Sequence, residues 1–356
     1  MPFEKIQNIA AAGESYLITD ASNVRYLSNF HGTNGQVFIT RKKAYFLTDP
    51  RYFREAKKHL PKKMAAINVA KSFTESLNRI IAREKIKNVY FEEKSVTFQT
   101  YKNLTKKIGE VKLKPRADIV ENLRMIKNRG EILNLVKAQR IAEKVFMDIR
   151  KNLMAGQTEI QISRKIIDLA YEYGADEISF PPIIAFGSNS GVPHHLSGSR
   201  KLKKGDIVLV DMGMKYKGFC SDMTRMIFTA KPTPLQEKIY NIVLTAQETA
   251  IINLKAGIKG TDVDYIARKI IKKAGYGKNF NHSLGHGVGL QIHELPSLSN
   301  HYDNPLPENT VVTVEPGIYL EKSFGVRIED MVLVKGKNAQ IITRIPKYIG
   351  SCIVKI

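Results

Sequence analysis

The amino-acid sequence predicts an α+β protein with two domains. The first third alternates short apolar stretches with amphipathic ones, which is the pattern of an α/β domain. The remainder contains two pairs of helical segments, and each pair is followed by strand-like segments that carry acidic residues. A chain of 356 residues is long enough to form two hydrophobic cores. We place the boundary near residue 120, so the predicted domains span residues 1–120 and 121–356.

The N-terminal domain is expected to contain strands separated by helices. Its apolar stretches are rich in β-branched and aromatic residues, which favour strands. The predicted strands are Tyr16–Thr19, Gln36–Ile39, Ala44–Leu47, Ala65–Val69 and Asn88–Phe91. The predicted helices are Arg51–His59, Phe73–Glu84 and Phe98–Ile108. This alternation indicates a sheet that is largely covered by helices.

The second domain begins with a pair of helices, predicted at Arg129–Asn152 and Glu159–Tyr173. Thr158 and Gln161 have the spacing of a capping box at the start of the second helix. A second pair follows about a hundred residues later, beginning with Leu235–Leu254. Both second helices contain the sequence Arg-Lys-Ile-Ile. The order of elements therefore suggests an internal duplication.

Composition excludes several classes of protein. The formal charge of +22 comes from lysines scattered along the chain, without a long basic run or a zinc-finger spacing, so we expect no nucleic-acid partner. The longest apolar runs, such as Ile207–Val210, are far shorter than a membrane span. Two cysteines, Cys220 and Cys352, cannot stabilise a fold of this size by disulfide bonding, which favours a reducing, cytoplasmic location.

Acidic residues recur in a predicted hairpin after the first helix pair. Asp211 and Asp222 lie on two strands joined by a tight turn. A loop at Tyr216-Lys217 would place the two carboxylates directly opposite each other, and a loop at Lys217-Gly218 would make them diagonal neighbours. Like charges so placed repel each other, and a bound cation would remove that repulsion.

A second acidic hairpin follows the second helix pair. Glu315 and Glu329 flank a turn near Lys322-Ser323, and the centre of this hairpin places them opposite each other. Two acidic pairs, each after two helices, predict one site shared by two similar halves.

Six of the eight histidines lie in the same part of the chain, at positions 194, 195, 282, 286, 293 and 301. Glycines flank His286 on both sides, so backbone can approach it closely, as in a crowded ligand site. We expect His195 and His301 to lie on the surface or behind the site. Four carboxylates and one imidazole suit Mn²⁺, Co²⁺, Fe²⁺ or Zn²⁺. Two such ions can activate a shared water for hydrolysis.

These residues resemble those of the pita-bread metallopeptidases, which include methionine aminopeptidase, aminopeptidase P and prolidase. The segments that carry the resemblance are Val210–Gly213, Ser221–Arg225, Gly285–Gly289, Val314–Tyr319 and Gly325–Asp330, together with Ser179–Pro181, Asn189 and Pro193–His195. The resemblance covers the whole chain, because Asn23–Leu27 and Leu47–Tyr52 look like the creatinase-type N-terminal domain. It implies a C-terminal pita-bread fold and, for the N-terminal α/β domain, the creatinase type.

The resemblance also implies roles for individual residues. The five metal ligands would be Asp211, Asp222, His286, Glu315 and Glu329, holding two divalent ions, with Mn²⁺ favoured. Glu315 would also carry a proton from the bridging water. His194 and His293 would stabilise the tetrahedral intermediate or hold the substrate. His282 would line the proline pocket, and Arg327 would bind substrate beside Glu329.

Among these peptidases, the N-terminal domain is typical of proline-directed members and contributes to a dimer. We therefore expect a homodimer that acts on peptides with proline in the second position. A dipeptidase must bind a free carboxylate, and some prolidases use an arginine shortly after the His-Glu motif. Residues 287–314 contain no lysine or arginine, and Ser297 occupies the corresponding place. This favours an Xaa-Pro aminopeptidase, with an Xaa-Pro dipeptidase (prolidase) as the alternative. A non-catalytic pita-bread binding protein is a remote alternative, since such relatives typically lose metal ligands.

Overall fold

The computed structural model describes residues 1–70 and 72–356. These residues fall into two units, Met1–Arg124 and Met125–Ile356. The division lies close to the boundary expected near residue 120. Among the described residues, no helix combines the length and the apolar character needed to cross a membrane.

The N-terminal unit contains six strands and the helices around them. The strands are β1 Glu14–Ile18, β2 Gln36–Thr40, β3 Ala44–Thr48, β4 Met64–Asn68, β5 Asn88–Glu92 and β6 Lys112–Arg116. The helices are α1 Pro2–Ile9, α2 Ala21–Ser28, α3 Pro50–His59, α4 Phe73–Glu84 and α5 Phe98–Lys107, and α6 Glu121–Met125 ends at the division between the units. The five predicted strands and three predicted helices are confirmed to within two residues at each end.

These six strands form one sheet in the order β4-β3-β2-β1-β5-β6. Strand β1 pairs antiparallel with β2 and parallel with β5. Its side chains alternate between two hydrophobic clusters, because Tyr16 and Ile18 pack in one and Leu17 packs in the other. Both faces of the sheet are therefore covered, as the sequence predicts.

Helices α1 and α2 are not among the elements predicted from the sequence. Each has only eight residues, which is too short for an apolar period of 3.6 residues to stand out. Helix α2 also contains Asn23 and Val24, which are poor helix formers. It is stabilised instead by its N-cap, because the Asp20 side chain accepts a hydrogen bond from the backbone N–H of Asn23.

The second unit contains the two predicted helix pairs and short strands. The helices are α7 Arg129–Lys151, α8 Glu159–Glu172, α9 Pro234–Asn253 and α10 Gly260–Lys273, and 3₁₀ turns occupy Gly187–Gly191, Gly277–Asn279 and Ile349–Cys352. The strands before α9 are β7 Glu177–Ile178, β8 Ile183–Phe186, β9 Ile207–Met212, β10 Met214–Tyr216, β11 Phe219–Cys220 and β12 Met223–Phe228. Those after α10 are β13 Gly285–Gly287, β14 Glu294–Leu298, β15 Val311–Val314, β16 Gly317–Leu320, β17 Phe324–Arg327, β18 Asp330–Val334 and β19 Ala339–Ile341.

Two of these four helices, α8 and α9, begin with the same capping box. Thr158 and Gln161 form the predicted capping box at the start of α8. Thr233 and Gln236 form another at the start of α9. In each box a threonine hydroxyl and a glutamine side chain satisfy N–H groups that the first helical turn leaves unpaired.

Strand β9 lies between the two helix pairs. Val208 and Val210 pack in a cluster with residues of α7 and α8. Ile207 and Leu209 pack in another cluster with residues of α9 and α10. Because side chains alternate along a strand, Asp211 continues the face of Ile207 and Leu209. The Asp211 carboxylate is thus held near the end of a strand that is buried on both faces.

Candidate active site

The first acidic hairpin has its turn at Lys217-Gly218. Both residues have positive φ angles, 49° and 78°, as in the type I′ turns that join two antiparallel strands. The resulting register pairs Asp211 with Thr224, so Asp222 is the diagonal neighbour of Asp211. Of the two registers that the sequence leaves open, the structure confirms the one with the Lys217-Gly218 loop.

The second acidic hairpin has the predicted register. Val314 pairs with Asp330, and Gly317 pairs with Arg327. Continued across the gap between these two ladders, the register places Glu315 opposite Glu329. Both carboxylates lie where the ladder is interrupted.

His286 brings the two acidic pairs into contact. Its Nε2 atom lies 3.3 Å from Glu315 Oε1 and 3.6 Å from Asp222 Oδ2. Its Nδ1 atom lies 3.1 Å from the carbonyl oxygen of Gly287 and donates a hydrogen bond to it. This hydrogen bond orients the ring so that Nε2 faces the carboxylates, which is the usual arrangement of a metal-binding histidine. Ligand atoms of Asp222, His286 and Glu329 all lie within 4.8 Å of one another.

The negative charges of the carboxylates in this cluster are poorly balanced by positive charges within the chain. Burial and the neighbouring negative charges raise the pKa of Asp222 and Glu329 well above their ordinary values. Burial also raises the pKa of Asp211, whose Oδ1 atom is buried and has no hydrogen-bond partner among the described residues. Burial alone would raise the pKa of Glu315 as well, but the hydrogen bond with His286 and the positive charges of His286, His282 and Arg327 together outweigh burial and lower the pKa to about 2. Such a set of oxygen and nitrogen donors fits divalent cations.

Arg327 lies at the centre of a buried hydrogen-bond network. Its Nη2 atom donates to Asp211 Oδ2 at 2.6 Å, and its Nε atom donates to Thr224 Oγ1 at 3.0 Å. Its Nη1 atom donates to the hydroxyl of Tyr319 at 2.8 Å and to the carbonyl oxygen of Pro193 at 3.2 Å. The guanidinium group therefore orients Asp211, and a substrate-binding role for Arg327 stays a prediction.

Three further histidines surround the cluster. The rings of His293 and His286 are in edge-to-face contact, with centroids 4.3 Å apart. Burial and the neighbouring imidazoles of His286 and His194 lower the pKa of His293. Burial lowers the pKa of His282, whose Nε2 atom lies 2.9 Å from the hydroxyl of Tyr319. His194 is exposed, and its ring makes no hydrogen bond with the described residues. Neutral imidazoles at His282 and His293 can both donate and accept protons.

Related proteins identify the family. Residues 134–336 match metallopeptidase family M24, and residues 7–126 match the creatinase/prolidase N-terminal domain. The chain belongs to metallopeptidase family M24. Its fold is the M24 pita-bread fold with a creatinase-type N-terminal domain, and membership in this family implies divalent metal ions and a hydrolytic activity.

Several relatives of this M24 chain are similar over nearly their whole length. The Xaa-Pro dipeptidase of Pyrococcus horikoshii is 36% identical over 332 residues, which are 93% of each chain. A solved structure named Xaa-Pro dipeptidase from Bacillus anthracis has a TM-score of 0.94 at 35% identity, covering 99% of this chain and 98% of that one. The X-Pro aminopeptidase of Thermotoga maritima has a TM-score of 0.91 at 33% identity, with full coverage of both chains.

Three buried residues of the site in this M24 chain were not predicted from the sequence. Thr224 donates to Glu329 Oε2 at 2.8 Å, and Thr313 donates to Glu315 Oε1 at 3.0 Å. Tyr319 connects Arg327 to His282, as described above. All three belong to the segments that carry the family resemblance, or directly precede one. Spacing also offers a signal, because a residue two positions from a ligand on a strand points to the same face.

Proposed function

We propose that this chain is a proline-directed peptidase that hydrolyses the Xaa-Pro bond at the N-terminus of short peptides, with dipeptides as its preferred substrates. The observation that carries the hydrolytic part is the cluster of four carboxylates around His286, of which three are buried and Glu315 is partly buried. The preference for dipeptides rests on the relatives named Xaa-Pro dipeptidase or prolidase, from Pyrococcus horikoshii, Pyrococcus furiosus and Bacillus anthracis. These names support the alternative of the sequence analysis better than the aminopeptidase that it favoured.

In this proposal the metal ligands are the five residues named by the family resemblance. Asp211, Asp222, His286, Glu315 and Glu329 would hold two divalent cations, with Mn²⁺ favoured and Co²⁺, Zn²⁺ or Fe²⁺ as alternatives. When bound, such cations activate water as a nucleophile and polarise the scissile carbonyl group. The unpartnered Oδ1 atom of Asp211 and the raised pKa values of Asp222 and Glu329 support this assignment.

Side chains of the site would then carry the proton and stabilise the developing charge. Glu315 is ionised at neutral pH, so its carboxylate accepts a proton from the attacking water and passes it to the departing proline nitrogen. His194 and His293 donate hydrogen bonds to the carbonyl oxygen as negative charge develops there. His282, oriented by Tyr319, lines the pocket that receives the proline ring. Arg327 orients Asp211, and in this proposal it also assists substrate binding.

An Xaa-Pro aminopeptidase is the second candidate, and position 297 favours it. Ser297 pairs directly with His286 between β13 and β14, so the two side chains share a face of the sheet. A serine at this position provides no positive charge for a substrate carboxylate, and residues 287–314 contain no lysine or arginine. A longer peptide would not need that charge at the second residue.

Hydrolysis of matched peptides by the Mn²⁺-loaded protein tests these proposals. We expect Ala-Pro to be cleaved with a higher kcat/KM than Ala-Pro-Ala, and we expect Met-Ala-Ser to be inert. A clear preference for Ala-Pro-Ala would establish the aminopeptidase instead. Cleavage of Met-Ala-Ser alone would refute proline specificity. Absence of cleavage, together with no stoichiometric metal, would support a non-catalytic binding protein.

The homodimer expected from the family resemblance is also a proposal. Light scattering of the purified protein would test it, because one chain has a mass of 40.2 kDa. A dimer would have twice this mass, and a monomeric mass at micromolar concentration would refute the proposal.

A further inference from the structure

A buried carboxylate is hydrogen-bonded to the segment that contains His194. Glu159, the first residue of α8, is fully buried, and each of its two carboxylate oxygens accepts two hydrogen bonds. Oε1 accepts from the backbone N–H of Phe186 and from Asn189 Nδ2, each at 2.8 Å. Oε2 accepts from His195 Nε2 at 2.8 Å and from the backbone N–H of Gly198 at 3.0 Å. The Glu159 side chain thus forms hydrogen bonds with four different residues of the segment 186–198.

The protonation of this pair follows from its surroundings. Burial opposes ionisation of Glu159, but the hydrogen bonds that it accepts, first of all from His195, outweigh burial and lower its pKa. The group is therefore a carboxylate, and Nε2 of His195 is the donor. The side chain of His195 is only 18% exposed, so its ring is held between the protein and the solvent.

His194 lies between two anchored neighbours. On one side, the carbonyl oxygen of Pro193 accepts a hydrogen bond from Arg327, the same group that orients Asp211. On the other side, the ring of His195 is bound to Glu159. The ring of His194 is exposed between them and makes no hydrogen bond with the described part of the chain. The anchors fix the backbone of His194 and leave its imidazole available.

We propose that His195 is a positioning residue for catalysis, which through its hydrogen bond to Glu159 holds His194 in the geometry that stabilises the developing oxyanion. The inference rests on the proposed function, in which His194 is the residue that contacts the substrate. His195 itself points to a buried carboxylate and acts only through its neighbour.

A double-mutant cycle on Xaa-Pro hydrolysis tests this inference. Removal of one oxyanion donor costs about 100-fold or more in kcat, which is the loss expected for His194→Ala. Misplacement of a catalytic group by an ångström costs on the order of 100-fold, so we expect His195→Ala to lower kcat by about 10- to 100-fold with little change in KM. In the His194→Ala background, His195→Ala should have no further effect, because its partner in catalysis is already absent. Equal losses in both backgrounds would overturn the proposal.

Two conservative variants separate positioning from general stability. Glutamine places an amide N–H close to where His195 carries Nε2, so His195→Gln should recover most of the lost kcat. Asparagine is one methylene shorter and should not, although it is equally polar. His301→Ala, at an exposed histidine, serves as the control and should keep wild-type kinetics. If His195→Gln were as slow as His195→Ala, or if KM rose at unchanged kcat, the role assigned to His195 would be wrong.

Hydrogen exchange provides a measurement that does not depend on the substrate. His195→Ala should increase amide exchange in residues 192–198 and leave the exchange of β9 unchanged. Unchanged exchange in residues 192–198 would overturn the inference even if the protein cleaved Xaa-Pro bonds. If the wild-type protein cleaved no Xaa-Pro peptide while exchange responded as expected, the proposed function would fail and the anchoring of the segment would stand.

Discussion

Replacing Thr224 with valine would remove one hydroxyl from the carboxylate cluster and keep the shape of the side chain. This hydroxyl is fully buried. It donates a hydrogen bond to Glu329 Oε2 at 2.8 Å and accepts one from Arg327 Nε at 3.0 Å. Thr224 also pairs across the hairpin with Asp211, so it contacts both acidic pairs of the site.

The expected losses follow from these two hydrogen bonds. The bond with Arg327 joins the hydroxyl to a charged group, and such a bond contributes about 1.5–3 kcal/mol. We therefore expect Thr224→Val to lower the free energy of unfolding by about 3 kcal/mol, because Arg327 Nε loses its partner. Loss of a hydrogen bond that orients a metal ligand typically weakens metal binding by about 10- to 100-fold. The affinity for Mn²⁺ should fall by this factor.

Urea unfolding in the presence of chelator would measure the first quantity, and calorimetric titration with Mn²⁺ would measure the second. Thr224→Ser is the matched control, because it keeps the hydroxyl and removes only a methyl group. It should retain most of the Mn²⁺ affinity. If Thr224→Val bound Mn²⁺ as tightly as the wild-type protein, the hydroxyl would not orient Glu329, and our account of the network would be refuted.

Three further predictions concern the ligands, the charge and the specificity of the site. Asp222→Asn or His286→Ala should abolish peptide hydrolysis while circular dichroism stays unchanged, since each variant lacks one metal ligand; wild-type turnover would contradict the ligand assignment. The pKa values of Asp222 and Glu329 are raised in the fold, so the stability that these groups contribute is present below their unfolded pKa and is lost as pH rises. The difference in melting temperature between Mn²⁺-loaded and chelated protein should therefore widen between pH 5 and pH 8. A constant difference would contradict the raised pKa values of Asp222 and Glu329. Ser297→Arg should lower the KM for Ala-Pro by about tenfold relative to Ala-Pro-Ala, because a charge-assisted hydrogen bond to the free carboxylate is worth at least about 1.5 kcal/mol; parallel changes for both peptides would place residue 297 away from that carboxylate.

Local patterns in the sequence determined much of this protein. The capping box of Thr158 and Gln161 predicted the start of α8, because a side chain and a backbone N–H three residues apart can satisfy each other without distant partners. The register of the second acidic hairpin was likewise predictable, since the turn and the strands that meet at Glu315 and Glu329 lie within one short segment. Strands and long helices are predictable from the period of their apolar residues. The family was recognisable from motifs that are continuous along the chain.

Only the tertiary structure decided how the halves of the site meet. Thr224 and Glu329 are separated by 105 positions, and Arg327 reaches Asp211 across 116 positions. The choice of the Lys217-Gly218 turn and the pairing of Glu159 with His195 also had to be observed. Such contacts depend on how buried strands and helices pack against each other. The periodicity of a single segment does not predict which distant hydroxyl, guanidinium or carboxylate group will be the hydrogen-bond partner of a site residue.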